Sequence, residues 1–170
     1  MSFNLQPTLQ SDRLELRPMR PDDWDALSAA ASDPQIWVQH PESDRYKPDV
    51  FRRYFDGGIA SGGAFVVIDR QTGRIIGSTR YFGYDPVASH VEIGWTFLER
   101  AYWGGDVNRE MKRLLVDHAL ASVTRVLFYV GPTNIRSQRA MEKIGGVRTG
   151  LVDRDGRQSV EFEITAPIAR

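Results

Sequence analysis

The sequence predicts a mixed α/β (α+β) domain, with a largely antiparallel sheet early in the chain and a β-α-β unit at its centre. Two patterns carry this. Ala64–Asp69, residues 75–82 and His90–Leu98 are apolar segments joined by short connections, Arg70-Gln71-Thr72-Gly73 and a break at Asp85-Pro86, which imply an antiparallel meander. After Gly105 the period changes. Val107, Met111, Leu114, Leu115 and Ala119 fall at spacings of three and four, and the almost wholly apolar Arg125–Val130 that follows reads as a strand buried on both faces.

The remaining elements follow in order. Leu14, Leu16 and Pro18 alternate with Arg13, Glu15 and Arg17, a first strand with one buried face. Asp22 or Asp23 can cap a helix that carries Trp24, Leu27 and Ala30 on one side. Residues 32–47 read as a polar loop. A second helix is expected over 48–59, with Val50, Phe51, Tyr54 and Phe55 apolar, ending at a glycine-rich turn. A helix over 134–144 and two strands over 147–151 and 159–165, joined by a turn at Asp155-Gly156, complete one domain over residues 1–170.

Composition excludes several classes. Lys and Arg number 22 and so do Asp and Glu, so no net field draws the protein to nucleic acid or to a membrane surface. The chain has no cysteine, which removes disulfides, thiolate metal sites and a cysteine nucleophile, and which suits a cytoplasmic location. His40, His90 and His118 lack metal-ligand spacing, so no metal is expected. Neither a signal peptide nor an apolar run long enough to span a membrane is visible.

Two strand-to-helix junctions can hold chemistry. At the first, Trp103-Gly104-Gly105 leads from a strand into a helix, where free N–H groups and the helix dipole favour an anion. The same pattern also serves as an ordinary cap. At the second, Gly131-Pro132 precedes Asn134, which can cap the next helix, and Ser137 faces the same side one turn on. If the two preceding strands part, a ligand can enter between their ends.

The run Asn134-Ile135-Arg136-Ser137-Gln138-Arg139-Ala140-Met141-Glu142-Lys143-Ile144-Gly145-Gly146 resembles the motif after the fifth strand of the GNAT acetyltransferase superfamily. The opening Ser11-Asp12-Arg13-Leu14-Glu15-Leu16-Arg17-Pro18, the segment Glu92-Ile93-Gly94-Trp95 and the closing Val160-Glu161-Phe162-Glu163-Ile164-Thr165 are similar to the branch of ribosomal-protein N-terminal acetyltransferases. The resemblance covers about residues 8–165. It implies a mostly antiparallel sheet of six to seven strands with helices on both faces, and a fourth and fifth strand that splay apart.

The resemblance further implies acetyl-CoA as cosubstrate and a primary amine, on a protein N-terminus or a small molecule, as acceptor. Trp95, Thr96, Phe97 and Leu98 would run along the pantetheine. Trp103, Gly104, Gly105, Asp106, Val107 and Asn108 align with the diphosphate loop, although Asp106 stands where the family has glycine and Asn108 where it has a small residue. A carboxylate there is tolerable if it turns away to cap the helix, and Arg100, Arg109 or Lys112 can restore positive charge. Asn134 would bind pantetheine amides, and Ser137 would contact or protonate the leaving sulfur.

Glu92 is the candidate general base; alternatively it only pairs with Arg80 or Arg125 on a neighbouring strand. Trp37, His40 and Tyr46 lie in the early loop, where the family takes much of its acceptor specificity; alternatively Trp37 anchors that loop while the other two face solvent. Without a cysteine, direct attack by the amine in a ternary complex is the expected mechanism. The alternative is a degenerate member of the same fold that binds CoA or a protein partner without turnover. The oligomeric state stays open, dimers being common among enzymes of this kind.

Overall fold

The structure, a computed structural model, describes residues 2–170. Two strands, β1 (Leu9–Gln10) and β2 (Leu14–Pro18), open the chain, with Leu14 and Leu16 fully buried. A 3-10 turn at Pro21–Asp23 leads into α1 (Trp24–Ala30). Asp23 holds the cap position, but its carboxylate reaches backward. It accepts from the Arg20 N–H at 2.7 Å and pairs with both terminal nitrogens of Arg17 at 2.7 and 2.9 Å. The expected loop over 32–47 contains a short helix, α2 (Pro34–Trp37), opened by Asp33, whose carboxylate accepts from the Gln35 N–H. The helix α3 (Pro48–Ser61) ends at Gly62, whose φ of 65° stops it in the left-handed region.

The meander follows as β3 (Ala64–Asp69), β4 (Arg74–Asp85) and β5 (His90–Leu98). Then come α4 (Val107–Leu120), β6 (Arg125–Val130), α5 (Ile135–Lys143), β7 (Val147–Arg154) and β8 (Arg157–Ile164). They form one 8-stranded sheet in the order β1-β2-β3-β4-β5-β6-β8-β7. Every pairing is antiparallel except β5 with β6. The strand beyond the expected six to seven is β1, whose two residues are too few for alternation to show.

Helices cover both faces, unequally. On one face α4 and α5 set Val107, Met111, Leu115 and Met141 against Val91, Ile93, Val126 and Phe162. On the other, α1 to α3 set Leu27, Trp37, Phe51 and Phe55 against Val66 and Phe97. That second core takes no residue from β6, β7 or β8. The side of those three strands that carries Tyr129 and Glu161 is therefore left without a share in the core under α1 to α3, next to the line where β5 meets β6.

Candidate active site

The parallel pair β5–β6 holds together only at its start, His90 to Arg125, Val91 to Val126 and Glu92 to Leu127. Beyond Glu92 the strands part. The cause lies on the other edge of β5, where Arg80 of β4 pairs with Gly94 but Ser78 pairs with Phe97, leaving Trp95 and Thr96 opposite the single residue Thr79. Such a bulge bends its strand and adds twist. Trp95 carries the strain with φ 55°, which a bulky residue adopts only when its surroundings enforce it. Its carbonyl accepts from the Tyr54 hydroxyl, and its ring lies 4.4 Å from the Arg80 guanidinium and 5.3 Å from that of Arg45.

The loop after β5 is anchored at its base. Tyr102 donates its hydroxyl to Asp69 at 2.8 Å, and the Trp103 indole donates to the Leu98 carbonyl at 2.9 Å. Gly104, with φ 74°, turns the chain into α4. Among the described residues, no acceptor takes the amides of residues 104–109; the first helical bond runs from Glu110 N–H to the Asp106 carbonyl. Those amides lie at the positive end of a 14-residue helix, an arrangement that suits a phosphate.

Asp106 does not meet the condition set for it, because its side chain makes no cap bond. Its backbone is helical (φ −89°, ψ −5°), whereas a capping side chain acts from an extended residue. The cations expected to offset it are engaged elsewhere. Arg100 pairs with Asp33, Arg109 donates to the Lys143 carbonyl at 2.7 Å, and Lys112 points into the sheet. The cation that does meet the loop is Arg136 of α5, stacked 3.7 Å above the Trp103 ring.

Glu92 lies on the side that carries Tyr129 and Glu161, just before the strands part, and is 6% exposed. Its partner is neither Arg80 nor Arg125 but Arg154 of β7, whose Nη2 donates to both carboxylate oxygens at 3.0 and 3.1 Å. Burial raises the Glu92 carboxyl above its ordinary value, and Arg154 opposes that shift without cancelling it. Gly83, with φ 59°, makes the room: a Cβ there would sit 2.8 Å from the Glu92 carboxyl carbon. Arg154 stacks 3.8 Å above the Tyr129 ring, and Tyr129 donates to Glu161 at 2.8 Å. Burial, then Glu161, pushes the Tyr129 hydroxyl up to about 12.

On the far side of the gap Asn134 caps α5, its Oδ1 accepting from the Ser137 N–H at 3.2 Å, which leaves Ser137 half-buried at the helix start. Lys112 of α4 occupies the gap itself. It is 6% exposed, its Nζ donates to the Thr96 hydroxyl at 3.0 Å and lies 5.4 Å from the Phe128 ring centre. Burial alone lowers its amine to about 7.

The acceptor candidates scatter. Trp37 is fully buried with its indole donating to the Ala31 carbonyl at 2.8 Å, so it is a core residue and presents no surface to an acceptor. His40 packs edge-on against Trp37 at 4.9 Å, and burial, Arg45 and Arg136 together lower its imidazole to about 4, so it is neutral near pH 7. Tyr46 is half-buried against the second core beneath Lys47. His118 packs between Phe3 and Tyr81.

The profile of the acetyltransferase (GNAT) domain family matches residues 13–147. The chain belongs to the GNAT acetyltransferase family. It is 27% identical over 152 residues to the uncharacterized N-acetyltransferase p20 of Bacillus licheniformis, covering 85% of both chains. The crystal structure of a GCN5-related N-acetyltransferase from Brucella melitensis superimposes with a TM-score of 0.84 at 21% identity, covering 94% of this chain and 79% of that one. Mycobacterium smegmatis RimJ, crystallised with CoA-disulfide, gives 0.73 at 20% identity over 98% of this chain and 90% of its own. At these identities the two structures establish the shared GNAT fold.

Sequence reasoning missed Arg154 and Tyr129, because both reach the site by crossing strands remote in sequence. It offered Lys112, with Arg100 and Arg109, as a cation for the phosphate loop. A signal for its true position existed: Lys112 falls three residues before Leu115 and four before Val116, inside the apolar stripe of α4.

Proposed function

We propose that the chain is one acetyl-CoA-dependent N-acetyltransferase domain that moves an acetyl group to a primary amine by direct attack in a ternary complex. The observation that carries this reading is the parting of β5 from β6 at the Trp95 bulge, with the unbonded amides of residues 104–109 at one end of the gap. The amides would hold the diphosphate, and Asn134 and the edge of β5 from Trp95 to Leu98 would flank the pantetheine. When bound, the thioester supplies an acetyl carbon activated by a good leaving group.

The acceptor would approach from the side where Glu92, Tyr129 and Glu161 present a polar wall. Glu92 takes the amine proton, directly or through water. A carboxyl raised by burial is a better-matched base near neutral pH than an exposed one. Backbone N–H groups beside the bulge stabilise charge growing on the carbonyl oxygen. Ser137 approaches the sulfur from α5.

The second reading, a CoA-binding or partner-binding module without turnover, draws on Asp106, whose carboxylate stands beside the loop without capping it. A thermal-shift titration with CoA and an acetylation assay over an amine panel decide between them. The enzyme reading expects a rise of several degrees together with turnover on at least one amine. A rise without turnover on any amine selects the module, and no effect at millimolar CoA overturns both.

A further inference from the structure

Lys112 has no carboxylate partner, and its shifted amine is perturbed by burial alone. Of the nine ion pairs among the described residues, none includes it. Its contacts are the Thr96 hydroxyl on β5, itself 2.9 Å from that of Thr79 on β4, and the Phe128 ring on β6. Thr96 is the second residue of the bulge, and Phe128 is the first residue of β6 beyond the paired segment. The Nζ therefore sits in the crotch of the gap, at the point where the strands begin to part. Packing alone gives no reason for an amine here, since a buried lysine costs stability that a methionine of similar length avoids.

We infer that Lys112 is the proton donor to the CoA sulfur. The inference rests on reading the gap as the thioester site. As the acceptor nitrogen forms its bond to the acetyl carbon, the C–S bond breaks and its electron pair stays on sulfur. The proton on Lys112 Nζ passes to that sulfur, leaving free thiol and a neutral amine, and solvent returns a proton to Nζ as products leave. The proton lost by the acceptor nitrogen goes separately to Glu92 or water. A serine hydroxyl such as Ser137 is a far weaker acid than the thiol it would have to protonate. An amine at about 7 is a stronger acid than a thiol near 8.5, so the transfer from Lys112 runs downhill.

The test uses the full chain, Lys112→Met and Lys112→Arg. Calorimetry first measures CoA binding. The Lys112 side-chain carbon resonance, assigned by its loss in Lys112→Met, is then titrated with and without saturating CoA. Contact with the sulfur is expected to move its midpoint by about one pH unit or more. Turnover of Lys112→Met should fall about 100-fold, with the KM for acetyl-CoA changed far less, and the loss of rate at high pH expected of the native protein should be absent. Lys112→Arg keeps the charge but cannot give up its proton, so it should be as slow as Lys112→Met. An unmoved midpoint with CoA bound, or a stable acetyl group found on Lys112, overturns the proton-donor role while leaving the transferase reading intact. Absence of CoA binding in the native chain removes both.

Discussion

Glu92 and Lys112 are buried to the same degree on opposite sides of one gap, yet the fold treats them differently. Glu92 is held by Arg154 from β7, which is in turn stacked on Tyr129, so its charge is compensated and its position fixed. Lys112 has only a hydroxyl and an aromatic ring. Burial pushes each group toward its neutral form, the carboxyl upward and the amine downward. What differs is the restoring partner. One wall is a built ion pair; the other holds a group whose charge is left to its surroundings.

That contrast breaks first at Lys112. Its folded value lies below the unfolded one, so its contribution to stability is present above about 10.5 and lost as pH falls toward about 7. Denaturant unfolding of Lys112→Met against the native chain should therefore show an advantage for the methionine variant that grows from pH 10 to pH 7 and then levels, reaching at most about 5 kcal/mol. A difference independent of pH would mean that the amine is not held neutral.

Glu92→Gln comes next. It keeps the shape but replaces one acceptor oxygen by a donor amide and removes the proposed base, and turnover is expected to fall 100-fold or more. The native rate should decline as pH drops through the raised Glu92 value, and steady-state profiles of the variant should lack that limb.

Arg154→Met strands Glu92 as a buried, unpaired acid. Because Arg154 is itself half-exposed, about 2 kcal/mol of stability is at stake, less than for a fully buried pair. The same variant should move the acidic limb of the rate profile to higher pH. Smallest is Asn134→Ala, which removes the α5 cap and should cost about 1 kcal/mol in thermal unfolding while weakening CoA binding.

Much of the framework is legible in the sequence alone. The meander from β3 to β5, the α4 spacing and the apolar run of β6 follow from period and turn length. The motif starting at Asn134 placed the second helix start, and the structure shows Asn134 capping it. Short segments escaped: β1 and α2 hold too few residues for a period, and they exist because neighbours pair with them or cap them. Whether Asp106 turns away to cap α4 was open in the sequence, because residue type does not fix backbone angle.

The sequence by itself determined which segments are strands and helices, their order, and the family to which they belong, because these rest on spacings along the chain. Tertiary structure decided what faces the gap. Arg154 meets Glu92 across 62 residues because β8 inserts between β6 and β7 and the sheet brings their polar sides together. Lys112 is buried, and Leu114 only partly so, because the strands part beneath one flank of α4. Local pattern sets which side of an element is apolar; only the assembled sheet sets which of its polar groups loses its water.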